Sequence, residues 1–141
     1  MKLLKILALC CAVLLGFFVQ DMLKSSSTSD SAINVKDYCF LSTTACKQQH
    51  VTMTLEHDTA KPLVESQLTV DWPNASKDTL LLEVEGLEMD MGISKFLLNK
   101  QPNGTYSAAI MLPVCTQDSM TWLGRLTDGT TTVHPAIRME R

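Results

Sequence analysis

Two methionines one residue apart, framed by glycines, stand in the stretch Gly86-Leu87-Glu88-Met89-Asp90-Met91-Gly92. Thioether sulfur is a soft donor that prefers Cu(I), and methionine sites keep working in an oxidising space where thiols are at risk. Cys115 and Met120 follow later in the chain. Met89, Met91, Cys115 and Met120 are therefore a candidate soft-metal set, with copper as the implied ion and His50, His57 or His134 as possible nitrogen donors. The competing reading is packing: methionine is a common filler of apolar cores, and the chain has 8 of them.

Other chemistries find less support. No histidine pair has zinc spacing, the calcium-loop pattern is unmatched, and no G-x-S-x-G turn, glycine-rich phosphate loop or H-E-x-x-H occurs. The expectation is a protein that is not an enzyme. Singly, His50, His57 and His134 read as surface or hydrogen-bonded histidines. Glu83 and Glu85, on the outward side of a strand, read as a solvated face. The net charge of -3 and the scattered lysines and arginines leave no basic stripe, so nucleic acid is not an expected partner.

The elements that must carry these residues begin with a leader. Lys2 and Lys5 precede Ile6–Val19, a stretch without one charged residue, and Leu3 to Leu23 is close to the roughly 20 residues that cross a bilayer core. Val19 to Leu23 lack the small residues that a cleavage site needs, so residues 1–24 read as a retained signal anchor or transmembrane helix. Cys10 and Cys11 inside it read as ordinary apolar helix residues. Residues 25–32, rich in serine, suit a flexible linker, and residues 33–141 are the expected periplasmic domain.

Within that domain apolar residues fall at period two. Val51, Met53 and Leu55, then Leu68, Val70 and Trp72, then Leu80, Leu82 and Val84, then Phe96 and Leu98 mark successive strands. Tyr106 to Leu112, Met120 to Leu126 and Thr131 to Met139 complete the set, with Asn103-Gly104 and Asp128-Gly129 as hairpin turns. About seven short strands with turn chemistry between them predict an all-β, antiparallel β-sandwich of immunoglobulin-like form. Trp122 is its expected central packing residue. Pro135 inside the last strand predicts a sheet edge or a bulge there.

Beyond the leader, Cys39, Cys46 and Cys115 are left to pair in an oxidising compartment. A Cys39–Cys46 disulfide would close a small ring worth about 2–3 kcal/mol and leave Cys115 free. Bridges from Cys39 or Cys46 to Cys115 compete with it, and spacing does not decide among the three.

The anchor, Cys39 and Cys46, the Met89-Asp90-Met91-Gly92 stretch, Asn103-Gly104-Thr105-Tyr106, Leu112-Pro113-Val114-Cys115 and Met120-Thr121-Trp122 together resemble the FixH/YtkA-like group of small membrane-anchored bacterial proteins. The likeness covers about Cys39 to Leu126. It implies an immunoglobulin-like sandwich on the outer face of the cytoplasmic membrane, acting as an accessory factor of respiratory oxidase assembly beside Sco-type copper chaperones. The implied partner is a membrane protein such as the oxidase or its assembly factors. The alternative is a metal-free interaction module that docks onto another membrane protein.

Overall fold

Period-two alternation becomes ten strands in the computed structural model, which describes residues 34–141. They are β1 (Cys39–Phe40), β2 (Cys46–Gln48), β3 (Val51–Leu55), β4 (Glu65–Asp71), β5 (Thr79–Gly86), β6 (Ile93–Lys100), β7 (Tyr106–Met111), β8 (Ser119–Thr127), β9 (Thr132–Val133) and β10 (Pro135–Glu140). The anchor and linker expected over residues 1–32 lie outside the described residues. Among the described residues there is no α-helix, and so no helix long and apolar enough to cross a membrane.

Burial follows the alternation. Val51, Met53 and Leu55 of β3, Leu68 and Val70 of β4, and Leu80, Leu82 and Val84 of β5 are buried, while the residues between them are partly or fully exposed. Each enclosed aliphatic side chain contributes about 1.5–3 kcal/mol relative to exposure, which holds these strands in register. Trp122 and Tyr106 are the bulkiest of the fully enclosed side chains, and Trp122 sits in the core as its position predicted. The Tyr106 hydroxyl donates to the Lys77 carbonyl at 2.7 Å; the Trp122 indole N–H has no partner among the described residues.

The strands form a single sheet in the order β1-β10-β8-β5-β6-β7-β4-β3-β2, with β9 paired to β8. All neighbours are antiparallel except β1 and β10. The sheet curls into a nearly closed barrel or sandwich because its two ends, β1 and β2, are neighbours in sequence and are joined by the Cys39–Cys46 disulfide, Cα atoms 5.9 Å apart. Gln48 adds a second tie across this seam: its amide donates to the Asp37 carbonyl at 2.7 Å, and its carbonyl accepts the His134 N–H. The wall is thin on the other side, where β6 and β7 pair only through Asn99–Ser107 and Lys100–Tyr106.

Strand register defines two poles. At the near pole, where the described chain begins, lie the Gln49-His50 turn, Trp72-Pro73-Asn74, the Asn103-Gly104 hairpin and the Asp128-Gly129 turn. At the far pole lie the β5–β6 and β7–β8 connections, the β3–β4 connection and the chain's last residue. Both predicted hairpins form, with Gly104 and Gly129 in the left-handed region at φ 88° and 93°. In the second, the buried Asp128 carboxylate accepts from the backbone amides of Ser76 (2.9 Å), Thr130 (2.9 Å) and Thr131 (2.8 Å). The Thr131 and Ser76 amides in particular hold its pKa well below the usual carboxylate range.

Two expectations change. There are ten strands rather than about seven, because the short β1 and β2 carry no alternation long enough to read, and the last strand is divided. His134 breaks it into β9 and β10. Pro135 then occupies the first position of β10, before pairing with β8 starts at Ala136, so its missing amide costs that ladder nothing. The strand is flanked by β8 and β1 and is neither an edge nor a bulge site.

Candidate functional site

All four sulfur residues of the predicted set belong to the far pole. Met89 and Met91 sit in the connection between β5 and β6, Cys115 in that between β7 and β8, and Met120 at the start of β8. The two connections are brought together because β5 and β8 are paired, Gly86 opposite Trp122. Beyond that last pair the Leu87 N–H donates to the Thr121 carbonyl at 2.9 Å, and the Thr121 N–H donates to a Glu88 carboxylate oxygen at 2.7 Å. The β5–β6 connection is thus fastened to β8 beside Met120.

Gly86 is the close-approach point. A β-carbon there would collide with the thioether methyl of Met120 and with the backbone carbonyl of Met89. Met120 therefore reaches across the β5–β8 pair to the base of the loop that carries Met89 and Met91. Met120 is fully buried and Cys115 nearly so, whereas Met89 and Met91 are half-buried and pack against the core from the loop. Gly92, at φ 72°, turns the chain into β6, and its N–H donates to the Asp90 carboxylate at 3.0 Å.

Cys115 is a free thiol: its Sγ donates to the Gln117 carbonyl at 3.4 Å, and its own carbonyl accepts from the Arg141 guanidinium. The remaining cysteine pair is the short-range bridge, Cys39–Cys46, so the two long-range alternatives are not formed. The histidines do not converge on the sulfurs as a group. His50 is exposed at the near pole, His134 stacks edge-on against Tyr38 with ring centroids 5.6 Å apart, and His57 at the far pole lies 3.5 Å from the Ser66 hydroxyl. Among the described residues no three His, Cys, Asp or Glu side chains are grouped so as to hold a metal ion.

Three thioethers and one thiol are soft donors of the kind a soft monovalent cation prefers; Met89, Met91 and Cys115 lie in the two connections and Met120 in β8. Glu88, Asp90, Asp118 and Glu140 lie at this pole with Arg138 and Arg141, and Arg138 pairs with both Glu88 and Glu140, the latter at 3.7 Å. Partial burial works against the Glu88 charge, but the Thr121 hydrogen bonds and the Arg138 guanidinium, 3.9 Å away, more than offset it and lower its pKa. Glu83, expected on a solvated face, pairs across strands with Lys95 at 2.7 Å.

Sequence reasoning missed Gly86 as the seat of Met120, Glu88 as the fastener of the loop, and Arg141. Glycine directly before a Met-x-Met stretch was the available signal for the first; the other two are long-range partners with no local signature. Compared with protein families, curated proteins and solved structures, the chain matches none.

Proposed function

We propose that this chain is a membrane-tethered accessory protein of FixH/YtkA-like type, held in the periplasm by residues 1–24, that handles Cu(I) at its far pole during assembly of a respiratory oxidase. The observation that supports the reading is that Met89, Met91, Cys115 and Met120 all lie at the pole opposite the start of the domain, with the Met120 methyl and the Met89 carbonyl both against Gly86. The immunoglobulin-like description rests on seven principal strands, β3 to β8 and β10, around Trp122. Copper is cargo in this account. The half-exposed Met89 and Met91 meet it first, and the enclosed Met120 and Cys115 supply further soft donors.

The test is anaerobic titration of the detergent-solubilised full chain with Cu(I) against a competing chelator. Replacing Met89 and Met91 with leucine should abolish competition. Affinity unchanged after replacement of Met89, Met91 and Cys115 together sinks the site.

A second reading, the metal-free docking module, is favoured by a separate feature of the same pole. Leu63, Val64, Met111 and Val114 are 62%, 50%, 44% and 50% exposed, and Leu63 holds a left-handed φ of 57° that a bulky side chain adopts only at a cost. The amide of Leu63 donates to the Leu112 carbonyl at 2.9 Å, which sets the two segments side by side. On this reading Met120 and Cys115 are packing residues. Their substitution lowers stability without altering capture of a membrane partner in a pull-down, whereas Leu63→Asp and Met111→Asp abolish it.

A further inference from the structure

The wall of the barrel is parted between β6 and β7. Their ladder ends at Asn99–Ser107, so residues 93–98 have no ladder on that side. Backbone direction alternates along a strand. The Lys100 N–H donates toward β5, to the Asp78 carbonyl at 3.0 Å, and the next amide, that of Gln101, donates to the Thr105 carbonyl across the β6–β7 hairpin at 2.7 Å. By that alternation the N–H and C=O groups of Ser94, Phe96 and Leu98 face β5, and those of Ile93, Lys95 and Leu97 face the gap without a ladder partner.

The side chains along the gap are mostly apolar. Ile93 and Leu97 are 58% and 61% exposed on the outer face, to either side of Lys95. Phe96 on the inner face and Ala108 across the gap on β7 pack against the core yet are left half-buried. An unpaired row of amides and carbonyls is a template for another strand, and charge is the ordinary means of blunting it. Lys95 is the one charge in residues 93–98, and Glu83 already pairs with it at 2.7 Å.

Main-chain groups offered at every second residue are complemented by extended backbone; a helix has already satisfied its own. A second copy of the chain fits poorly. An antiparallel β6–β6 pairing that sets Ile93 against Leu97 also sets the two Lys95 side chains opposite each other, and like charges in that position are destabilising.

We infer that the β6 edge receives an extended segment of another protein as an added strand, with apolar residues at alternate positions. Its main chain bonds to Ile93, Lys95 and Leu97, and its inward side chains rest against Phe96 and Ala108 and close the core there. Neither copper nor the surface around Leu63 and Met111 takes part.

Amide hydrogen exchange of the isotope-labelled full chain in detergent solution reads the edge directly. Without a ligand, the amides of Ile93, Lys95 and Leu97 should exchange about tenfold or more faster than those of Ser94, Phe96 and Leu98. Selection of phage-displayed random peptides against the same chain supplies the probe. Enriched peptides should carry apolar residues at alternate positions, and a synthetic copy should slow the three edge amides to the rate of their neighbours. Methylating the peptide nitrogens that face β6 should weaken binding by about tenfold or more, the scale of a main-chain bond lost with its partner left unpaired. Leu97→Pro removes an edge amide and no bond to β5, so it should fold and bind more weakly to the same degree, while Leu63→Asp should bind like the unaltered chain. Should Leu97→Pro fail to fold, the methylated peptide still decides. Enriched sequences of helical spacing, no enrichment, binding that leaves the three amides unprotected, or binding lost in Leu63→Asp overturns the inference. Protection of the same amides without peptide, relieved by dilution, assigns the edge to a second copy and overturns it equally.

Discussion

Removing the seam disulfide is the perturbation whose size follows most directly from this architecture. Cys39 and Cys46 are separated by 7 positions, and closing a loop of that length removes about 2 kcal/mol of denatured-state entropy. The bond joins the two ends of the sheet, so its loss is felt where no ladder connects β1 to β2. The seam does not fall open, because Gln48 still spans it to Asp37 and His134. Cys39→Ala/Cys46→Ala should therefore fold, with Tm lowered by about 8 °C, given roughly 4 °C per kcal/mol for a domain near 100 residues. Calorimetry of the variant is the assay. Phosphine reduction of the unaltered chain should reproduce the shift without changing any side-chain volume. A loss of less than about 2 °C in both would refute the claim that this bond constrains the barrel, and peptide mapping that found Cys115 in the bridge would refute the pairing.

Asp128→Asn weakens a buried carboxylate held by three amides and should cost about 1–3 kcal/mol in a urea titration at pH 7. Because the folded pKa of Asp128 is lowered, its contribution is complete above the unfolded value of about 4 and is lost as pH falls through the folded one; the variant should lose less stability than the unaltered chain between about pH 4 and 2. Gly86→Ala drives a β-carbon into Met120 and the Met89 backbone and should destabilise by about 1–3 kcal/mol, with the Met89 and Met120 methyl resonances shifted; unchanged methyl spectra would contradict the close approach. Lys95→Ala removes an exposed cross-strand pair and should change stability by less than about 1 kcal/mol, so a larger loss by urea titration would contradict its surface role.

Much of the barrel was legible because its long strands bury one face. Val51-Met53-Leu55 and Leu80-Leu82-Val84 announce their inward sides, and Asn103-Gly104 announces its turn. What could not be read was pairing between distant segments. Nothing local in Cys39–Phe40 or Cys46–Gln48 says that they are the two ends of one sheet, and alternation through Thr131 to Met139 conceals the break at His134. The sulfur residues were visible as residue types, yet their place at one pole depends on β5 lying beside β8, a long-range fact.

The central claim is that methionine sulfur at the far pole receives copper. X-ray absorption at the copper edge of the full chain, loaded anaerobically with one equivalent of Cu(I), tests it most directly. The account predicts a sulfur-only ligand shell that disappears in Met89→Leu/Met91→Leu. A nitrogen- or oxygen-dominated shell, or a sulfur shell unaltered in that variant, would contradict it.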